Sequence, residues 1–342
     1  MAGGLTAGHE LFTGASAALP TFGAVSTPFS LLLPVFRGDR ADHLIRAFQS
    51  TVTEQTLRPS EVVVVQDGQI TADLASTLER LESASPVPVR RLRLTHNVGL
   101  AQALQCGLSA CSHEVVARMD ADDISLPHRF ATQVPLVESG VDLVGSSLVE
   151  FGEDADGTST RTLRIPPLAP ADIAEQARLR SPFNHPTVVY RRSAVLQAGG
   201  YRELPLLEDY WLFTRMIDSG AVVANIEEPL VLYRVDAGSY ERRGGWRLLR
   251  SEVGLQRRLR AEGFTTRGQA ARNLAVRGGY RVVPVALRRS LYRRRFTTDG
   301  PLAATLPSAL PPALPSALPP ALPSALPPAL PSAPAGPRGE VA

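Results

Sequence analysis

The sequence predicts an α/β fold: a doubly wound, mainly parallel sheet, followed by a basic helical region and a proline-rich tail. Three observations predict it. Short apolar runs of strand length alternate with amphipathic helical stretches between residues 29 and 150. Two of those runs end on aspartates, at Asp67 and at Asp120 to Asp123. Parallel sheets gather such residues along one edge, because ligands bind beyond the strand C-termini at a topological switch point. The 342-residue chain is also 44% hydrophobic, which suffices for a packed core.

Each element has its own warrant. The run Phe29-Ser-Leu-Leu-Leu-Pro-Val-Phe36 is continuous and apolar, as a buried strand requires. Residues 40–54 follow with Leu44, Ile45, Phe48 and Val52 on one helical face. Glu61 to Asp67 is a second buried strand, stopped by Gly68. Leu74, Leu78 and Leu81 mark a second helix, Val89 to Leu94 a third strand, and Leu100, Leu104 and Leu108 a third helix. Val115 to Met119 forms a fourth strand. Phe130, Val134 and Val137 define the helix after Pro127, and Val141 to Val149 a further strand. Residues 151–180 read as a connection. Pro186 to Tyr190, Ala221 to Asn225 and Leu230 to Arg234 read as short strands, and Glu208 to Ile217 as a helix.

Charge divides the chain. Residues 1–241 hold 19 arginines against 29 carboxylates, a net −10, and residues 242–295 hold 16 arginines against two, a net +14. All 36 basic residues are arginine, a bias that a GC-rich genome explains without phosphate recognition. The 242–296 region reads either as a helical face packed on the main body or as a basic amphipathic segment on an anionic membrane surface. It carries no recognised nucleic-acid motif, so nucleic acid is not expected as a partner.

Residues 305–332 repeat Leu-Pro-Ser-Ala-Leu-Pro-Pro-Ala. Regular prolines remove backbone donors and block helix and sheet, so this is a low-complexity tail. Residues 1–28 lack a basic segment followed by an apolar run, so no secretory signal is expected there. No run of 18 apolar residues exists to span a membrane. Cys106 and Cys111 are expected to be buried structural thiols in a reducing compartment. The expected organisation is a disordered extension (1–28), a first half (29–150), a second half (151–241), a basic helical region (242–300) and the tail (301–342).

The acidic cluster Met119-Asp120-Ala121-Asp122-Asp123 is the sharpest feature. Three carboxylates repel one another and resist burial, so a strand end that carries them is costly unless a cation neutralises them. A hard divalent metal would do so, and an acidic turn before the next helix is the plainer alternative. Four patterns then occur in order: Leu33-Pro34-Val35-Phe36, Val62 to Asp67-Gly68, Asn97-Val98-Gly99-Leu100-Ala101, and the acidic cluster. A fifth follows in Gly199-Gly200-Tyr201-Arg202 and Glu208-Asp209-Tyr210-Trp211-Leu212. Together, over residues 29–236, they resemble a family 2 glycosyltransferase, an inverting enzyme with the GT-A nucleotide-sugar-binding fold.

The resemblance implies a role for each residue. Asp67 would hold the base of a nucleotide-diphosphate-sugar donor, with capping of its own turn as the alternative. Pro34 and Val35 would line the same pocket, and Ala121 would sit within it. Asn97 and Gly99 would offer backbone donors to phosphate or ribose, although Asn97 serves equally as a helix cap. Asp120 would face the ribose and Asp122 the metal, Mg2+ or Mn2+. Asp123 would be a supporting carboxylate or a helix cap. Asp209 would be the base that takes the acceptor's proton, with Glu208 orienting it. His185 would lie near the acceptor or be structural, and Arg234 would contact the diphosphate or pack on the sheet. Trp211 is expected in the core.

The processive members' Gln-Xaa-Xaa-Arg-Trp element is absent, which favours single addition. The acceptor would be a glycan or lipid-linked saccharide, and the expected location is the cytoplasm, peripheral at the inner face of the plasma membrane. A sugar nucleotidyltransferase would need a glycine-rich basic loop where Pro34 to Asp39 stands. A degenerate nucleotide-sugar binder would not need Asp120, Asp122 and Asp209 together.

Overall fold

Alternation along the first strand sets the architecture. Leu31, Leu33 and Val35 point to one face of the sheet and Leu32 to the other. Val62 and Val64 on the next strand share the first face, and Val63 and Val65 the second. A strand buried on both faces needs helices on both sides, and the chain supplies them. The computed structural model describes residues 27–153, 159–235 and 245–279. Its elements begin with β1 (Phe29–Phe36), α1 (Ala41–Phe48), β2 (Glu61–Asp67), α2 (Ala72–Ala84), β3 (Val89–Arg93), α3 (Leu100–Ala110), β4 (Val115–Arg118) and β5 (Ile124–Ser125). They continue with α4 (Arg129–Glu138), β6 (Leu143–Glu153), β7 (Ser159–Arg164), α5 (Pro170–Ala177), β8 (Val189–Arg191) and α6 (Arg192–Gln197). Last come α7 (Glu208–Asp218), β9 (Val223–Val235), α8 (Trp246–Ala261) and α9 (Arg267–Asn273).

The described strands form one sheet in the order β3-β2-β1-β4-β8-β6-β9-β5, with β7 paired to β6. β3, β2, β1 and β4 are mutually parallel, β8 is antiparallel to β4 and β6, and β6 and β9 are parallel. The chain leaves β1 towards β2 and β3, then returns to β1's other side with β4. The switch point therefore lies between the C-termini of β1 and β4. Helices α1, α2 and α4 cover one face through Leu44, Phe48, Leu74, Leu78, Phe130 and Val134. Helices α3 and α7 cover the other through Leu104, Leu108, Leu212 and Phe213. Each such buried side chain contributes roughly 1.5–3 kcal/mol.

Several elements differ from expectation, each for a local reason. The helix expected over 40–54 is α-helical only to Phe48 and widens to a π-turn over Gln49–Thr53. There the Ser50 and Thr51 hydroxyls both donate to the Ala47 carbonyl, and the Gln55 amide donates to the Ser50 carbonyl at 2.6 Å. The two short strands expected between 221 and 234 are one strand, β9. Ser146 pairs with Ile226 but Ser147 with Pro229, so Glu227 and Glu228 bulge out and interrupt the apolar pattern. The stretch read as a connection carries β7 and α5. Pro186 lies in a 3-10 turn, His185–Thr187, and only Val189–Arg191 is strand. Cys111 is buried as expected, but Cys106 is exposed.

Helix α8 packs on α7. Leu248, Leu255 and Leu259 join Tyr210 and Trp211 in a third cluster. Trp211 is thus core, with the Arg258 and Arg215 guanidinium groups 4.7 and 4.8 Å from its ring centre. Buried Glu252 is clamped by Arg277 through two bonds of 2.8 and 2.9 Å. No helix among the described residues is long and apolar enough to cross a membrane. The N-terminal extension up to residue 26, the basic segment 280–296 and the tail 301–342 lie outside the described residues.

Candidate active site

Three groups of expected site residues fall at the C-terminal edge of the parallel strands. Asp67 ends β2 and is 5% exposed. Its Oδ1 accepts from the Val98 N–H at 2.7 Å, and its Oδ2 accepts from the Gly99 N–H at 3.0 Å and the Asn97 side-chain amide at 2.9 Å. Asn97 and Gly99 are therefore brought to Asp67, and Asp67 fixes the loop that starts α3. Gly99, not Asn97, holds the N-cap position, at φ +87°. Gly68 follows at φ +79°, and a Cβ there would meet the Asn97 backbone nitrogen at 2.5 Å, so only glycine lets the two loops close. Pro34 lies past Leu32, β1's last partner on β4, so its missing N–H costs no ladder bond on that side. Val35 is fully packed into the core.

The acidic cluster follows β4, and its members have separate partners. Arg118, the last residue of β4, is 1% exposed and grips both Asp120 oxygens, one at 2.6 Å. Residues i and i+2 of an extended strand share a side, which places the guanidinium beside that carboxylate. Burial pulls Arg118 down, but the charges of Asp120 and its neighbours outweigh it and hold the guanidinium above its usual range. Arg129 lies beneath, wholly buried, and donates to the Arg118 carbonyl at 2.7 Å and the Ser125 hydroxyl at 3.0 Å. Burial, then repulsion from Arg118, lowers Arg129 to about 9.

Asp123 is fully buried. Its Oδ1 accepts from the Arg234 N–H at 2.8 Å, and its Oδ2 has no partner. It ties β9 to the acidic loop rather than capping α4, whose N-cap position is His128. Arg234 in turn donates from Nε to the Asp122 carbonyl at 3.0 Å and lies 4.6 Å above the Phe151 ring. Ala121 is buried between these carboxylates in sequence. Burial, then the charge of Asp120, pushes Asp122 up to about 6. Burial and the charges of Asp122 and Asp120 push Asp123 well above the usual carboxylate range.

Asp39, in the loop after β1, joins this group. Its Oδ2 accepts from the Phe36 N–H at 2.8 Å. Burial pushes it up to about 7 against that bond, and the charges of Asp122 and Asp120 add to the rise.

Glu208 and Asp209 open α7. Burial, then the charge of Asp209, pushes Glu208 up to about 7. Burial raises Asp209, against the Tyr210 N–H and the charges of Arg118 and Arg164. Arg118 thus lies within electrostatic reach of both the acidic loop and the α7 pair. His185 sits 3.1 Å from the Tyr201 hydroxyl through Nε2 and packs against the Tyr201 and Phe213 rings. Burial, then Arg118, lowers its pKa well below the usual value, so it is neutral. Arg118, Arg129 and Asp39 were missed as site residues. An arginine inside an apolar strand, two positions before a carboxylate, was the available signal for the first.

No group of three or more His, Cys, Asp or Glu among the described residues could enclose a metal. The donor set still fits a cation shared with a ligand. Asp122 receives no hydrogen bond from another described side chain, and Asp123 keeps a buried oxygen without a partner. Mg2+ commonly takes one or two carboxylates and completes its shell with phosphate oxygens and water.

The sheet order, with helices on both faces, is that of the GT-A fold. Two solved structures share the fold: S. aureus TarS 1-349 in complex with UDP-GlcNAc, and the mannosyltransferase PcManGT from Pyrobaculum calidifontis in complex with GDP-Man and Mn2+. The first has a TM-score of 0.53 at 14% identity, covering 82% of this chain and 76% of that one. The second has a TM-score of 0.52 at 18% identity, covering 82% and 79%.

Glycosyl transferase family 2 matches residues 30–199. The amylovoran biosynthesis glycosyltransferase AmsE of Erwinia amylovora is 35% identical over 78% of this chain and 98% of its own length. An Escherichia coli UDP-Gal:alpha-D-GlcNAc-diphosphoundecaprenol beta-1,3-galactosyltransferase is 30% identical over 78% and 95%. The chain belongs to glycosyltransferase family 2.

Proposed function

We propose that this enzyme moves one sugar from a nucleotide-diphosphate-sugar to a hydroxyl of a lipid-linked saccharide, with inversion, in cell-surface polysaccharide assembly. The observation that carries the reading is the Glu208–Asp209 pair. It is raised above the usual carboxylate range by burial, at a helix start within electrostatic reach of the acidic loop through Arg118. An alcohol is a weak nucleophile, and a raised carboxylate is a better base for its proton. Single displacement at the anomeric carbon needs that base and no covalent intermediate on the protein. Asp209 is the base, and Glu208, whose carboxylate the α7 N-terminus holds, orients the acceptor side.

Asp122, with Asp123 behind it, would hold Mg2+ or Mn2+, which supplies Lewis-acid stabilisation of charge on the departing diphosphate. Asp120, held by Arg118, faces the ribose. The Asp67–Asn97–Gly99 loop forms the wall against which the base lies, and one Oδ1 lone pair of Asp67 remains for a base N–H. The lipid-linked acceptor rests on the undecaprenol-linked acceptor named for the 30% identical relative. It suits a protein peripheral at the inner face of the plasma membrane.

Asp209→Asn should lower transfer roughly 100- to 10,000-fold while nucleotide sugars with Mn2+ still raise its melting temperature. Asp122→Asn should lose that metal-dependent rise. An active Asp209→Asn enzyme removes the base assignment.

A further inference from the structure

Leu206 is the one non-glycine residue with a positive φ among the described residues, at +70°. It is the third residue of the turn Leu204-Pro205-Leu206-Leu207, which the Leu207 N–H closes by donating to the Leu204 carbonyl at 3.0 Å. Proline second and a left-handed residue third make a type II turn. Glycine ordinarily takes that third position, because a Cβ is strained there.

The packing of the turn does not call for leucine at 206. Leu204 and Leu207 are buried in the cluster that joins α7 to α8, at 4% and 7% exposure. Leu206 is 46% exposed and belongs to no core cluster. Its backbone does have a task, because it lies beside the Glu208 carboxylate and favours its charged form. Glycine would perform that task without strain. The side chain therefore carries a steric cost while nearly half exposed, two positions from the paired carboxylates. Strain of this kind collects at ligand clamps.

We propose that Leu206 is a specificity-determining contact for the acceptor, covering a nonpolar surface beside the reacting hydroxyl. The inference rests on Glu208 and Asp209 facing the acceptor. A nonpolar surface has two sources in a lipid-linked sugar: the C–H face of the ring, or the alkyl chain.

The test titrates full-length wild type and Leu206→Gly with octyl and methyl α-N-acetylglucosaminide, below micelle formation, in UDP and Mn2+. Leu206→Gly is expected to melt no lower than wild type and to bind the octyl probe roughly tenfold more weakly. An equal loss for the methyl probe assigns the contact to the ring, and an unchanged methyl affinity assigns it to the chain. Leu206→Asn, which tolerates the left-handed backbone but presents an amide, should behave like the glycine variant.

The proposal is overturned if wild type binds neither probe. It is overturned equally if either variant binds both as wild type does, or if Leu206→Gly melts below wild type. Asp209→Asn should keep the octyl affinity while losing transfer. Retained transfer in that variant removes the base reading and leaves the Leu206 result standing.

Discussion

Arg118 concentrates the electrostatics of the site in one side chain. It is buried, paired to Asp120 through two bonds, and felt by Asp122, Asp123, Glu208 and Asp209. Removing one partner of a buried pair leaves the other charge uncompensated, so Arg118→Met should destabilise the fold by roughly 3 kcal/mol. Urea unfolding checks this. Arg118→Met combined with Asp120→Leu should recover much of that stability without recovering donor binding. A double variant as unstable as the single one would show that Arg118 acts through packing alone. The sequence made the carboxylates legible because three aspartates at one strand end repel one another and call for a cation. The cation was not, because an arginine among valines looks like an ordinary surface residue until the strand is seen to be covered on both faces. Asp39 escaped for a related reason. Its importance comes from the loop that folds it back towards Asp120 and Asp122, and nothing in Arg37-Gly38-Asp39 announces that path.

The start of α7 shows what an element adds to its residues. A carboxylate in a helix's first turn is normally favoured by the backbone N–H groups. Here burial outweighs that benefit and raises Glu208 to about 7 from an ordinary 4.5. The folded pKa is the higher one, so ionised Glu208 is disfavoured by folding. Its contribution to stability is present in full below about pH 4.5 and lost as pH rises through about 7. Glu208→Gln should therefore match wild type near pH 4 and exceed it at pH 8 by up to about 3 kcal/mol, read from unfolding at both values. A constant difference across that range would sink the assignment. The α3 start is the opposite case, with both oxygens of a buried aspartate bonded. Asp67 accepts three bonds from Asn97, Val98 and Gly99, so Asp67→Ala should unfix that loop and abolish nucleotide-dependent thermal shifts. Both helix starts were legible, because glycine, asparagine and paired acids stand beside apolar repeats. The π-turn after α1 and the joined strand β9 were not. In the first, the Ser50 hydroxyl and the Gln55 amide also bond to Ser125 and Leu126, far away in sequence, and the second is hidden in a register shift.

At the scale of the whole molecule, charge is segregated: net −10 over residues 1–241 and +14 over 242–295. The described part of the basic region is not free-standing. Leu248, Leu255 and Leu259 face α7, and Arg277 is spent on buried Glu252. What remains outward on α8 is Trp246, 73% exposed, with Arg247, Arg250 and Arg257. Trp246, Arg250 and Arg257 recur at helical spacing, so the outer face is cationic with an aromatic at its N-terminal end. That face suits an anionic lipid surface, where each arginine contributes about 1 kcal/mol near the headgroups. Replacing Arg247, Arg250 and Arg257 by glutamine should thus weaken flotation with phosphatidylglycerol vesicles roughly 100-fold. Transfer to a water-soluble acceptor should stay unchanged, because none of the three touches the carboxylate clusters. Raising salt should mimic the substitution, since exposed charges are screened over about 8 Å at physiological ionic strength. Neutralising the six arginines between 281 and 295 in a separate variant tells whether α8 or the following segment supplies the attraction. If full-length protein floats equally with neutral and anionic vesicles, or with neither, the segregated charge serves no lipid surface. With no flotation on either, the acceptor must come to the enzyme from solution.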